Sequence, residues 1–69
     1  MAEQNIQDKM LHNANQILLA LLGSEDIVDQ WWNSNNKAFD YEIPADLWHT
    51  SKGRNKVYNY LLDQMEPPH

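Results

Sequence analysis

The sequence contains no cysteine, which excludes disulfides, thiolate metal sites and a cysteine nucleophile together. Its only glycines are Gly23 and Gly53, too few and too far apart for a loop that cradles phosphate. Positive charge is scarce: five Lys and Arg against ten Asp and Glu leave a formal net charge of −5. Phosphate backbones and anionic membranes attract basic surfaces, so this balance argues against nucleic acid and against a membrane as partner. The longest apolar run, Ile17 to Leu22, falls far short of the ~20 residues that span a bilayer. The opening Met-Ala-Glu-Gln-Asn has neither the basic nor the apolar region of a secretory signal, and lipidation at a C-terminal cysteine is excluded. A cytoplasmic location is the expectation.

What is present is a chain of 69 residues, read as one domain over 1–69. A chain of this size buries only about 60% of the surface its unfolded form exposes. Apolar burial and chain entropy then nearly cancel, so a partner or a second copy that covers surface is expected to add stability.

The apolar residues Ile6, Met10, Leu11, Ala14, Ile17, Leu18, Leu21 and Leu22 recur in steps of three and four, the spacing of one helix stripe. Gln7, Lys9, Asn13, Asn15 and Gln16 lie opposite. Leu19 and Ala20 widen the stripe, so the last turn is expected to be buried all round. The first helix is placed at 4–22, stopped by Gly23 in a left-handed C-terminal position. Ser24 can cap a second helix over 25–33, with Glu25 and Asp26 at the positive end of its dipole. The tract Asn33-Ser34-Asn35-Asn36 ends that helix. Over 37–43 the alternation of Phe39, Tyr41 and Ile43 could be a strand, but a lone strand is unstable, and an extended loop pinned by Phe39 is the expectation. Pro44 suits a first helical position, giving a short helix through Ala45 to His49. Thr50 or Ser51 caps a last helix over 52–65, ended by Pro67-Pro68. The fold class is all-α: a compact bundle of four helices, the third short. The expected core is Met10, Ile17, Leu18, Leu21, Leu22, Ile27, Val28, Trp31, Phe39, Leu47, Val57, Leu61 and Leu62.

The order of features from Leu21 onward carries a resemblance. Leu22-Gly23-Ser24 breaks the chain, an acidic helix ends in Trp31-Trp32, and Asn36, Ala38 and Phe39 follow in a turn. Pro44 with Leu47 then starts a helix, and Gly53 opens a last one bearing Val57, Leu61 and Leu62. Over about residues 21–65 this resembles the toxin-binding domain of antitoxins of the Xre, MbcA and ParS type. The family usually has a glycine-rich turn where Asp40-Tyr41 stands, Thr where Ile43 stands, and Leu where Trp32 stands. Many members carry an N-terminal helix-turn-helix domain, for which this chain has no room. The resemblance implies a protein that neutralises a RES-domain toxin, an enzyme that degrades NAD, by covering its active-site cleft. It implies no enzyme activity and no cofactor in the antitoxin.

Candidate partner-binding residues follow. Adjacent tryptophans on a helix point about 100° apart, so one small core cannot close over both Trp31 and Trp32. From the family match Trp31 is expected in the core and Trp32 at the surface, where it and Trp48 are anchor candidates; ordinary half-exposed packing is the bland alternative. Lys52, Arg54 and Lys56, with Lys37 nearby, concentrate the positive charge. They read as a solvated helix face or as a contact for an acidic region of a partner. In the related antitoxins the end of the chain can lie near the toxin's cleft, and if this tail inserts, Glu66 and His69 are its polar candidates; a frayed terminus is the alternative. His12, His49 and His69 are too scattered for a metal site. Asp46 with His49, and Asp26 with Asp29, are pairs three apart that lack the nucleophile and orienting group catalysis needs. The rival functions are a self-associating regulatory module, that is a homodimer, and a small DNA-binding regulator using the last helix, which the net charge opposes.

Overall fold

A computed structural model of the chain describes residues 6–65. Four α-helices follow in order: α1 Ile6–Leu22, α2 Glu25–Asn33, α3 Pro44–Leu47 and α4 Ser51–Met65, with a 3-10 turn at Lys37–Phe39 between α2 and α3. The architecture is the expected all-α bundle with a short third helix. Positions 4 and 5 of the predicted first helix lie outside the described residues, as do Glu66 and His69. Among the described residues no helix is long and apolar enough to cross a membrane.

Local chemistry sets the boundaries. The Gly23 N–H bonds the Leu19 carbonyl at 2.9 Å while its backbone takes φ +92°, a conformation that favours glycine. The Ser24 hydroxyl oxygen accepts from the Ile27 N–H at 3.3 Å, capping α2. At the other end of α2, Asn33 Nδ2 donates to the Asp29 carbonyl at 2.9 Å and the Ser34 hydroxyl to the Gln30 carbonyl at 2.6 Å. These side chains satisfy carbonyls that the helix end leaves free. Pro44 occupies the first turn of α3. Thr50 Oγ1 accepts from the Gly53 N–H at 3.0 Å and caps α4.

The segment expected to be an extended loop is a folded turn. The Asn36 side chain accepts from the Ala38 N–H at 2.9 Å and starts the 3-10 turn. Asn36 and Glu42 form a single antiparallel bridge, and Asn35 Nδ2 donates to the Tyr41 carbonyl at 2.6 Å. The segment's own backbone and these two asparagine side chains thus supply the partners a strand would have taken from a neighbour. Phe39 is pinned as expected, 1% exposed. Closing the turn puts Asp40 at φ 57° and Tyr41 at φ 67°, the left-handed region that costs an L-residue roughly 1–2 kcal/mol.

Each helix packs on two others: α1 on α2 and α4, α3 on α2 and α4. The closed core is Ala14, Ile17, Leu18, Val28, Phe39, Val57 and Leu61. Leu22, Trp31 and Leu47 pack against it half-buried, and Met10 is half-buried. Leu21, Ile27 and Leu62 were expected inside but are 49%, 46% and 41% exposed. Ile27 and Leu62 lie about 100° around their helices from buried Val28 and Leu61; Leu21 shares the stripe of Ile17 and Leu18 but stands in the last turn of α1, next to the Gly23 break. The last turn of α1 is accordingly not buried all round; Ala20 is exposed too.

Gly53 sits where α4 meets α3. A Cβ there would run into the Leu47 carbonyl oxygen, with its carbonyl carbon 2.9 Å away. Alanine is the better helix former by about 1 kcal/mol, so Gly53→Ala tests packing against propensity. Thermal denaturation followed by circular dichroism is expected to show a clear loss, about 1–3 kcal/mol; a gain would mean that α3 and α4 do not approach this closely. Tyr41→Gly, which removes an exposed ring and a strained φ, is expected to raise stability by about 0.5–1 kcal/mol in the same assay.

Candidate partner-binding groove

Trp31 and Trp32 leave α2 on different sides. Trp31 lines a depression of about 240 Å³ with Leu22, Ile27 and Gln30. Trp32 faces a larger groove of about 580 Å³ between α1, α2 and α3, within the size range of ligand pockets. Its apolar wall is Leu11 and Leu19 from α1, Val28 and Trp32 from α2, and Ala45 and Trp48 around α3. Glu25, Asp29 and His49 stand among its polar lining.

Trp32 and Trp48 meet with ring centroids 5.2 Å apart and planes at 85°, the edge-to-face geometry that ring quadrupoles favour. Trp32 Nε1–H donates to Asn15 Oδ1 at 2.7 Å. Trp48 lies against Tyr58 at 6.5 Å, and the Tyr58 hydroxyl oxygen accepts from Asn13 Nδ2 at 3.2 Å. Asn13 and Asn15, read in the sequence as part of a polar outer face, therefore tie α1 to α4 and α2. They flank fully buried Ala14, and that position beside the buried stripe is the only sequence signal for their role.

The two tryptophans on α2 are both half-buried. Trp31 is thus not closed into the core as expected; its ring stands edge-on to Trp32 at 5.2 Å and to Phe39 at 6.1 Å. The structure brings Trp32 and Trp48 together but separates the basic residues. Lys37, Lys52 and Lys56 are exposed, whereas Arg54 is only 9% exposed and its Nε has no hydrogen-bond partner. Arg54 falls on the stripe of Gly53, Val57 and Leu61 that α4 buries. Asp46 and His49 are joined through the backbone, His49 N–H to the Asp46 carbonyl at 3.3 Å. Among the described residues no group of three or more His, Cys, Asp or Glu could hold a metal ion.

A groove walled by aliphatic groups and indole rings suits the docking of another chain. The sequence profile of the antitoxin Xre/MbcA/ParS C-terminal toxin-binding domain matches residues 18–66. The chain belongs to this family. The match takes in all of α2, α3 and α4 and the last turn of α1, and a toxin-binding domain implies a toxin as partner. No curated protein and no solved structure is significantly similar to the chain. Where this antitoxin family usually has a glycine-rich turn, the chain adopts left-handed backbone at Asp40 and Tyr41 without glycine.

Two substitutions separate packing from surface roles here. Asn15→Ala is expected to cost about 1 kcal/mol in urea unfolding and to shift tryptophan emission to the red, whereas a merely solvated asparagine would change neither. Arg54→Met removes a buried nitrogen that lacks a partner, so urea unfolding is expected to show equal or greater stability.

Proposed function

We propose that the chain neutralises a RES-type, NAD-degrading toxin by covering the toxin's active-site cleft, and that it does so in the cytoplasm as a single domain without chemistry of its own. Family membership supports the antitoxin role, and the observation that carries the docking surface is the exposed flank of the Trp32–Trp48 pair in an apolar groove. Tryptophans at the centre of an interface contribute a disproportionate share of binding energy. Trp32 and Trp48 act as anchors in this reading. Lys52 and Lys56, one turn apart and exposed on α4, meet an acidic region of the toxin. Arg54 points inward and supports α4 from behind. Glu66 and His69, outside the described residues, are the polar candidates for contact with the cleft.

The test is co-expression and purification with the RES-type toxin encoded beside this gene, with NAD consumption as readout. The complex is expected to form and to stop NAD loss. Trp32→Ala and Trp48→Ala should each weaken binding at least about tenfold, and removal of residues 66–69 should weaken inhibition while leaving the helical signal unchanged. A toxin that remains unbound and fully active beside the intact chain would refute the reading.

A second reading has its own observation. Leu21, Ile27, Leu62 and Met65 leave apolar surface outside the groove, which suits a homodimer. Sedimentation across a concentration series tests it: a mass near 8.1 kDa at every concentration excludes the dimer, and a dimer formed through these residues would leave the Trp32 groove open.

A further inference from the structure

The groove lining defines the chemistry of what enters it. Leu11, Leu19, Val28 and the two indoles supply apolar and π surface. The Trp32 N–H is already bonded to Asn15, so what this residue adds to the groove lining is apolar and π surface and not a donor. Glu25 and Asp29 stand on the rim, both exposed and one helical turn apart on α2, and positions four apart share a face. Among the described lining residues there is no lysine or arginine, and His49 is the only basic side chain. Carboxylates at the mouth attract a cation, an indole face attracts it through the ring quadrupole, and an aliphatic wall accepts a methylene stem.

We propose that the groove receives an arginine or lysine side chain flanked by apolar residues on the partner protein, with Glu25 and Asp29 selecting for the cation. This rests on the reading of the groove as the toxin-docking surface, and it adds the charge the toxin must bring there. A second copy of the chain is the poorer occupant, because each copy carries a formal charge of −5 and like-charged bodies repel. Exposed rim charges act mainly on association rate and salt dependence, so those are the quantities to read.

The first arm of the test uses the full chain with its tryptophans labelled for NMR and three probe peptides. These are acetyl-Ala-Leu-Arg-Leu-Ala-amide and the same peptide with norleucine or glutamate in place of arginine. The arginine peptide is expected to shift the Trp32 and Trp48 indole signals and to bind at least about fivefold more tightly than the norleucine peptide, with the glutamate peptide weakest. A Glu25→Gln/Asp29→Asn double variant should erase the preference. Both residues are exposed, and loss of the helix-start charge weakens α2 only slightly, so its fold is checked by an unchanged helical signal. Equal binding of the arginine and norleucine peptides, or no movement of the indole signals by any of them, overturns the proposal.

The second arm measures association with the neighbouring RES-type toxin at low and moderate salt. The double variant is expected to associate about tenfold more slowly at low salt, with a flatter salt dependence, and Asp29→Lys more slowly still. If the double variant matches the wild type at every salt while Trp32→Ala loses binding, the cation selection fails and the docking surface stands. If no RES-type toxin binds but the arginine peptide behaves as stated, the toxin assignment fails and the groove chemistry stands.

Discussion

Six of the seven aromatic side chains form one unbroken series of edge-to-face contacts, and the rest of the molecule is arranged around it. The series runs from Tyr60 through Phe39, Trp31, Trp32 and Trp48 to Tyr58, with centroid separations between 5.1 and 6.5 Å. It leaves α4, crosses the 3-10 turn, α2 and the end of α3, and returns to α4 two residues from its start. Such pairs contribute about 0.5–1.5 kcal/mol each beyond the area they bury. That matters in a chain whose closed core is six aliphatic residues and one phenylalanine. The asparagines of α1 attach the remaining helix through the polar atoms of Trp32 and Tyr58.

In the proposed docking role, Trp32 and Trp48 of this series have two duties that pull in different directions. As packing they favour full closure, and as a docking surface they need an open flank. Half-burial of Trp32 and Trp48 is compatible with both: each packs against its neighbours and keeps part of its surface in the groove. Because Trp32 is held by a hydrogen bond and by rings on either side, the groove wall is set before any partner arrives. Little side-chain ordering then remains to oppose binding.

Much of the fold was legible because its signals are local. Ser24, Gly23, Pro44 and Thr50 act on the backbone within a few residues, and the helix boundaries followed from them. The core was legible where a stripe is unambiguous, as for Ile17, Leu18, Val57 and Leu61. It was not where an apolar residue borders the stripe, as Ile27 and Leu62 do, or where the stripe reaches a helix end, as at Leu21: these remain partly in water because apolar character permits burial without requiring it. Arg54 shows the opposite case. Its neighbours Lys52 and Lys56 suggested a basic face, yet the step from Arg54 to Val57 and Leu61 is three and four, so the helix phase already pointed inward. The turn at 36–42 was hidden because it is closed by backbone hydrogen bonds within the segment and by two asparagine side chains, and those asparagines read equally well as a helix stop. The groove had only a partial signal: Trp32 and Trp48 stood out by type, but their meeting depends on how α2 and α3 pack.

The pairwise contacts of the four helices form a closed circuit, with the first and last helices as neighbours. A circuit does not open at one joint. Detaching α1 forfeits its contacts with both α2 and α4, so opening is concerted and few partly open forms lie between the folded and unfolded chain. A molecule lodged between α1, α2 and α3 clamps three of the four members at once, and the open population falls as that molecule is supplied. Attack by proteases on an opened chain tracks that population. The persistence of this protein would thus be set by how much of its partner is present.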